Sequence, residues 1–467
     1  MRVESRRGPV VLLELNELSP ALMRRFMDEG LLPNFRRFHD ESHAYITDAE
    51  EAPPNLEPWI QWVTVHSGLP FDEHRVFYLG DGPRLDRPCV WDAVSAEGRP
   101  VWICGSMNIR HDVPLRGCVL PDPWTDAVPA RPAALEPFRR FVRQHVLEYT
   151  SDRVPLRPAD YARFVAFMAS HGLRPATARA IVEQLVAERG GPWRWRRAVL
   201  LDRLQHDLFE HYFRRERPAL STFFLNSTAH FQHMYWRNME PEKFEHQPTS
   251  EEQAAFSDAI RFGYREMDRI VGRFLELAEG GATLVLATAL SQKPCLLYEK
   301  RGGKVLYRAR DLQVLLDFAG VRGSPRVSPV MATDFHLEFG RDDDAAAAAR
   351  RLEALHLGED RPAMNVELSG RVVLAGPITV RVPDDAVVSS GDGGRSAPFF
   401  ELFYRAPGLK SGMHHPDGLL WIRLPSRERA THAGKVGLTS IAPTLLALLG
   451  TPRPPSMRGA PLADVLA

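Results

Sequence analysis

Cysteine is scarce. Cys89, Cys104, Cys118 and Cys295 are the only four in 467 residues, and no two stand in a CxxC spacing. That excludes a disulfide-stapled scaffold and makes a reducing cytoplasm the expected compartment. An excess of one charge is also missing, since Lys plus Arg and Asp plus Glu each number 59. Such a chain has no net field to hold a polyanion, so nucleic acid is not an expected partner. Short arginine clusters such as Arg24-Arg25 and Arg214-Arg215 read as solvated helix faces. Long apolar runs are absent as well. The first, Pro9 to Leu15, already contains Glu14 and is followed by Asn16, which is too brief for a leader peptide. No other stretch is long enough to cross a membrane, so no membrane partner is expected. A last absence is local: no serine or threonine occurs from Asp48 to Val63 (DAEEAPPNLEPWIQWV).

What remains is 44% apolar, enough for one large core or two to three smaller ones. PVVLLEL at Pro9 to Leu15, TFFLN at Thr222 to Asn226 and ATLVLAT at Ala282 to Thr288 read as buried parallel strands. Ser19-Pro20 opens a helix that Gly30 closes, because serine caps and proline suits the first turn. Leu135 to Tyr149 and Ala176 to Arg189 read as amphipathic helices, and Glu251 to Glu279 as one long helix. Val372 to Ala375 and Ile378 to Val382 read as a hairpin around Gly376-Pro377. Gly391 to Ala397 reads as a flexible loop. The polar stretch after TFFLN carries His230 and His233, three apart and so on one face of a helix. A strand ending in histidines is where an open α/β sheet places a ligand.

Several segments carry a resemblance. Ser227-Thr228-Ala229 with Gln232-His233 and Trp236-Arg237 resembles "STD-x-x-QHxxWR" of the alkaline phosphatase superfamily, in its type I phosphodiesterase / nucleotide pyrophosphatase branch. Leu32 to Phe38 is similar to "TPNLxRL", Ser67 to Pro70 with His74 to "TGxxPxxHG", and Val90 to Gly105 to "WDxLxxxGKxVxxxG". Gly412 to Leu420 resembles "GxHxPDGxL", and Gly437 to Leu462 the closing "DIAPTxLxLLGxPxPxxMxGxxL". The resemblance implies an α/β fold, an alkaline-phosphatase-like doubly wound, mostly parallel sheet. The core would be 1–126 and 218–467, with a mixed insertion at about 300–405 and a helical cap insertion at 127–217. Most relatives of this type are exported, so the lack of a leader is a departure from them.

The resemblance also implies a two-zinc site, and this chain departs from it. Among the positions for metal ligands, His233 and His414 match, whereas Asn16, Ala229, Ala289 and Leu290 stand where the family has Asp or His. The nucleophilic hydroxyl would fall near Pro58, inside the stretch without serine or threonine. The polar residues left there include Asn55, Glu57 and Gln61, and a carboxylate can serve as nucleophile or general base. Asn16, Glu57 and His230 are therefore the expected catalytic residues and His233 and His414 the expected metal ligands. The expected cofactor is at most one divalent ion (Zn²⁺, Fe²⁺ or Mn²⁺), with Glu57 or Glu14 as an oxygen ligand. Two functions follow. One is an enzyme acting on a small phosphate- or sulfate-ester, or similarly polar, small-molecule substrate without a seryl or threonyl intermediate. The other is a non-catalytic relative that binds a ligand or a protein partner.

Overall fold

A computed structural model of the chain describes residues 8–111, 115–147, 156–328, 334–358, 361–391 and 394–466. Its organising element is an eight-stranded sheet. In spatial order the strands are Ala430–Gly437, His43–Asp48, Asp417–Arg423, Thr283–Ala287, Val10–Leu15, Leu220–Leu225, Val101–Cys104 and Gly117–Leu120. Val10–Leu15 pairs in parallel with Leu220–Leu225 on one side and Thr283–Ala287 on the other. Only Asp417–Arg423 runs antiparallel to its neighbours. All six residues of Val10–Leu15 are buried, as a central strand covered on both faces requires.

Side-chain alternation divides this strand between two cores. Val11, Leu13 and Leu15 pack with helices Pro20–Asp28, Arg197–Glu216 and Ala259–Ala278. Val10 and Leu12 pack with helices Pro58–Ser67, Val90–Ala96 and Ile441–Leu449. This is the expected doubly wound α/β arrangement. Residues 305–403 build a third apolar core of their own, around Tyr307, Leu337, Val373 and Phe399.

Two local expectations need correction. The long helix breaks after Phe256 and resumes at Ala259, giving Ser250–Phe256 and Ala259–Ala278. The strand Val372–Pro377 runs straight through Gly376-Pro377 and pairs with Met364–Ser369, so the hairpin turns at Gly370, whose φ is 56°. Glycine takes that left-handed turn at no steric cost, which fixes the reversal there. The helix expected to reach Tyr149 spans Glu136–Leu147, and 148–149 lie outside the described residues, as do 392–393 of the loop at Gly391 to Ala397.

One buried acid makes the fold pH-sensitive. Asp202, on helix Arg197–Glu216, accepts a hydrogen bond from Ser227 Oγ at the start of helix Ser227–Met239. Burial pushes its carboxyl up to about 7. The folded state then holds this proton more tightly than the unfolded chain. Its contribution is complete below the unfolded carboxyl range near 4 and is lost as pH rises towards 7. Asp202→Asn is expected to stabilise the protein at pH 8 by roughly 1–3 kcal/mol and to leave it unchanged at pH 4. Thermal melts of both proteins at the two pH values check this, and an equal shift at both would contradict it.

Candidate functional site

The site forms where the central strands end. Asn16 directly follows strand Val10–Leu15, its N–H donating to the Leu225 carbonyl at 3.0 Å. The chain then turns sharply at Glu17, which takes φ 61°. A left-handed glutamate is strained, and such strain persists only where the surroundings over-determine it. Here they do. Gln232 Nε2 donates to the Glu17 carbonyl at 2.7 Å, Tyr264 Oη donates to Gln232 Oε1 at 2.8 Å, and Ser19 N donates to that phenol at 2.8 Å. The Glu17 side chain is held too, by Asn16 Nδ2 on Oε1 at 2.7 Å and by Gln292 Nε2 on Oε2.

Two imidazoles meet this carboxylate. His233 comes from helix Ser227–Met239 and His414 from strand Gly412–His415. Their rings lie 5.1 Å apart at 70°. His233 Nε2 stands 3.0 Å and His414 Nε2 3.4 Å from Glu17 Oε2. Among the described residues, these three form the one group of His, Cys, Asp and Glu side chains spaced to hold a metal ion, with donor atoms within 4.8 Å of one another.

The other nitrogens of the two rings face acceptors as well. His233 Nδ1 lies 3.0 Å from the Gly412 carbonyl, and His414 Nδ1 lies 2.9 Å from the Leu56 carbonyl. A neutral imidazole has one N–H and cannot serve acceptors on both sides. With Nδ1–H given to the carbonyls, both Nε2 lone pairs point at a carboxylate oxygen. Lone pair against lone pair is repulsive unless a proton or a cation sits between them. Backbone carbonyls that fix the Nδ1 tautomer are the usual support of metal-binding histidines. An N₂O donor set of this kind fits Zn²⁺, Fe²⁺ or Mn²⁺. Gly412 must be glycine for the strand to come this close, because a Cβ there would stand 2.4 Å from the Gln232 carbonyl oxygen.

The charges respond to one another. Burial alone would raise the Glu17 carboxyl, but the charges and hydrogen bonds of His414 and His233 hold it well below its ordinary value. Burial pushes His233 down to about 4, and Lys410 adds to the fall against Glu17. His414 is raised in spite of its burial, by Glu17 first and Glu57 second.

The residues singled out from the sequence fall in different places. Asn16 is 1% exposed; its Nδ2 donates to Glu17 Oε1 and Asn226 Oδ1, and its Oδ1 accepts from Trp62 Nε1 at 2.8 Å. Glu57 lies at the start of helix Pro58–Ser67, with Oε2 3.5 Å from His414 Nδ1, the ring nitrogen away from Glu17. Burial raises its carboxyl above the ordinary value, against the pull of His414 and Lys410. His230 is exposed and stands apart from the metal-binding triad. Glu14 faces the other core and pairs with His66 Nε2 at 2.7 Å. Ala229, Ala289 and Leu290 are at most 1% exposed; Ala289 and Leu290 pack with the second core.

The sequence reading missed Glu17. It placed the ligand at Asn16, whereas the carboxylate that meets both histidines is the next residue, presented by a turn that neighbours distant in sequence set. The one local signal was a carboxylate directly after the strand. It also missed Lys304, Arg308 and Lys410, on strands Lys304–Ala309 and Phe403–Lys410. Lys410 lies within electrostatic reach of Glu17, Glu57 and both site histidines.

The chain has the alkaline phosphatase fold. It aligns over 100% of its length and of theirs with wild-type alkaline phosphatase PafA, at a TM-score of 0.50 and 13% identity. A variant of the same enzyme with four substitutions gives 0.51 and 12%, over 99% of each chain. Phosphonoacetate hydrolase from Sinorhizobium meliloti 1021, in complex with phosphonoformate, covers 96% of each chain at 0.44 and 14%. No protein-family model matches the sequence, and no curated protein is similar to it in sequence. Among the described residues, no helix is long and apolar enough to cross a membrane.

Proposed function

We propose that this protein is an enzyme of the phosphoester-hydrolase type, rebuilt around one divalent metal and acting on a small phosphate- or sulfate-ester or similarly polar substrate. The observation that carries the reading is the arrangement of Glu17, His233 and His414, with each Nδ1 on a backbone carbonyl and each Nε2 on the carboxylate. These three residues would hold the ion, which when bound supplies Lewis-acid stabilisation of a developing negative charge. Three protein ligands leave the open position a catalytic site needs.

The protein's own groups do the rest. With no hydroxyl from Asp48 to Val63, attack falls to water. Glu57 is the base that takes its proton, since a carboxylate raised by burial accepts a proton more readily near neutral pH. Asn16 is a positioning residue that orients Glu17 through its amide N–H. The second reading, a non-catalytic binding protein, is favoured by the buried Ala229, Ala289 and Leu290, which offer no donors at positions where the resemblance implies Asp or His ligands.

Metal analysis of the purified full-length protein, followed by a panel of nitrophenyl phosphate, sulfate and diester substrates, tests the proposal. One equivalent of metal with metal-dependent turnover of any panel member supports it. Stoichiometric metal without turnover supports the binding protein, and no metal overturns the one-metal reading. For Glu57, a further outcome is expected: Glu57→Gln lowers turnover roughly 10²-fold or more while metal content stays at one equivalent. Loss of metal together with activity would instead make Glu57 a ligand.

A further inference from the structure

The stretch after residue 300 brings cations to the site. Strands Lys304–Ala309 and Phe403–Lys410 form a two-stranded antiparallel ribbon in which Lys304 pairs directly with Lys410. Alternation sorts its faces. Val305, Tyr307 and Ala309 are buried in the third core, so Lys304 and Arg308 project from the opposite face. That face looks onto the site. Lys410 feels Glu17 and Glu57, Lys304 feels Glu57, and Arg308 feels His230. The ribbon is also tied to the site helix, because Ser411, next to Lys410, donates its N–H to the His233 carbonyl at 2.7 Å.

Lys304, Arg308 and Lys410 are each partly exposed and, among the described residues, have no carboxylate in contact. Lys304 rests over the Tyr298 ring at 5.2 Å, and Arg308 Nε is buried without a hydrogen-bond partner. Asp334 lies within electrostatic reach of Lys304 and Lys410 without closing to a salt bridge. Like charges directly opposite in a ribbon are destabilising. Within the ribbon itself, setting Lys304 against Lys410 is therefore a cost.

We infer that Lys304, Arg308 and Lys410 form an anion subsite that holds a charged group of the substrate other than the group reacting at Glu17, His233 and His414. Lys304 and Arg308 stand four residues apart on one strand, about 13 Å along it. The row runs from Glu57 at the lysine end to His230 at the arginine end, which gives the exposed His230 a place as a hydrogen-bond donor beside Arg308. The substrate is then an ester with a separate anionic end, a phosphate, a sulfate or a carboxylate. Arginine suits a planar or tetrahedral oxyanion through its paired N–H groups. This inference rests on the proposed one-metal enzyme only for the word substrate; the anion subsite itself needs no metal.

Calorimetric titration of the full-length protein, metal-free and zinc-loaded, with inorganic phosphate, sulfate and acetate tests it. The metal-free protein is expected to bind at least one of the three, with affinity that falls as potassium chloride is added. Lys304→Met and Arg308→Gln are each expected to weaken that binding at least tenfold, and Arg308→Lys to restore part of it. The anion that binds most tightly identifies the charged end. Absence of binding by all three anions overturns the inference. So does binding that both substitutions leave unchanged, and so does binding seen only with zinc, which places the anion on the metal. Should Lys304→Met fail to fold, the Arg308 pair decides alone. Failure of the one-metal reading shows separately, as zinc that is not taken up while phosphate binding persists.

Discussion

Glu17→Gln is expected to abolish stoichiometric metal binding, lowering affinity at least 100-fold, in a protein that still folds. Two effects act together. The substitution removes the one negative charge among the three donors, leaving two neutral imidazoles, too few for a stable protein site. It also replaces an oxygen by an NH₂ group where only donors wait. Asn16 Nδ2 already donates to Oε1 and Gln292 Nε2 to Oε2, so either orientation of the new amide sets N–H against N–H. Folding should survive, because the apolar cores on both faces of the sheet do not involve this side chain. The measurement is zinc or manganese content after dialysis, with affinity from competition against a chromophoric chelator. One equivalent retained at wild-type affinity would remove Glu17 from the metal site and leave His233 and His414 without their third ligand.

The fold was largely legible in the sequence, because its signals are local. Val10 to Leu15, Thr222 to Leu225 and Thr283 to Ala287 are short apolar runs of strand length, and burial on both faces produces such runs. His233 and His414 were legible as well, each inside a short motif. Glu17 was not, since its φ of 61° is imposed by Gln232 and Tyr264, more than 200 residues away. The basic row was hidden for the same reason. Nothing in the run from Lys304 to Arg308 indicates that Lys410 will lie opposite, because that register is fixed by pairing across about a hundred residues. The failed hairpin at Gly376-Pro377 shows the reverse case. A turn-forming pair was overruled by a strand that needed those residues for its ladder with Met364 and Asn365. Local propensity placed the elements; the chemistry depends on contacts between elements.

Asn16→Asp supplies the aspartate that the resemblance implies after the first strand, and it is expected to cost about 3–5 kcal/mol without creating a second metal site. The asparagine is not an idle replacement for an aspartate. Its Oδ1 accepts from Trp62 Nε1, and its Nδ2 donates to Glu17 Oε1 and to Asn226 Oδ1, each at 2.7 Å. An aspartate keeps the first of these bonds and loses the donor that faces Glu17. Asn226 can turn its amide to donate to the new carboxylate, but at Glu17 carboxylate is set against carboxylate, in a position 1% exposed to water. The remaining positions for that second ion, Ala289 and Leu290, offer no donors to offset this cost. Thermal melts should therefore show a large fall in midpoint, and zinc titration should show no second equivalent. The variant should also bind its single ion less well, because Glu17 loses the N–H that orients it. A second equivalent of zinc taken up without loss of stability would mean that Asn16 faces an open coordination position, and that the site is one substitution away from two metals.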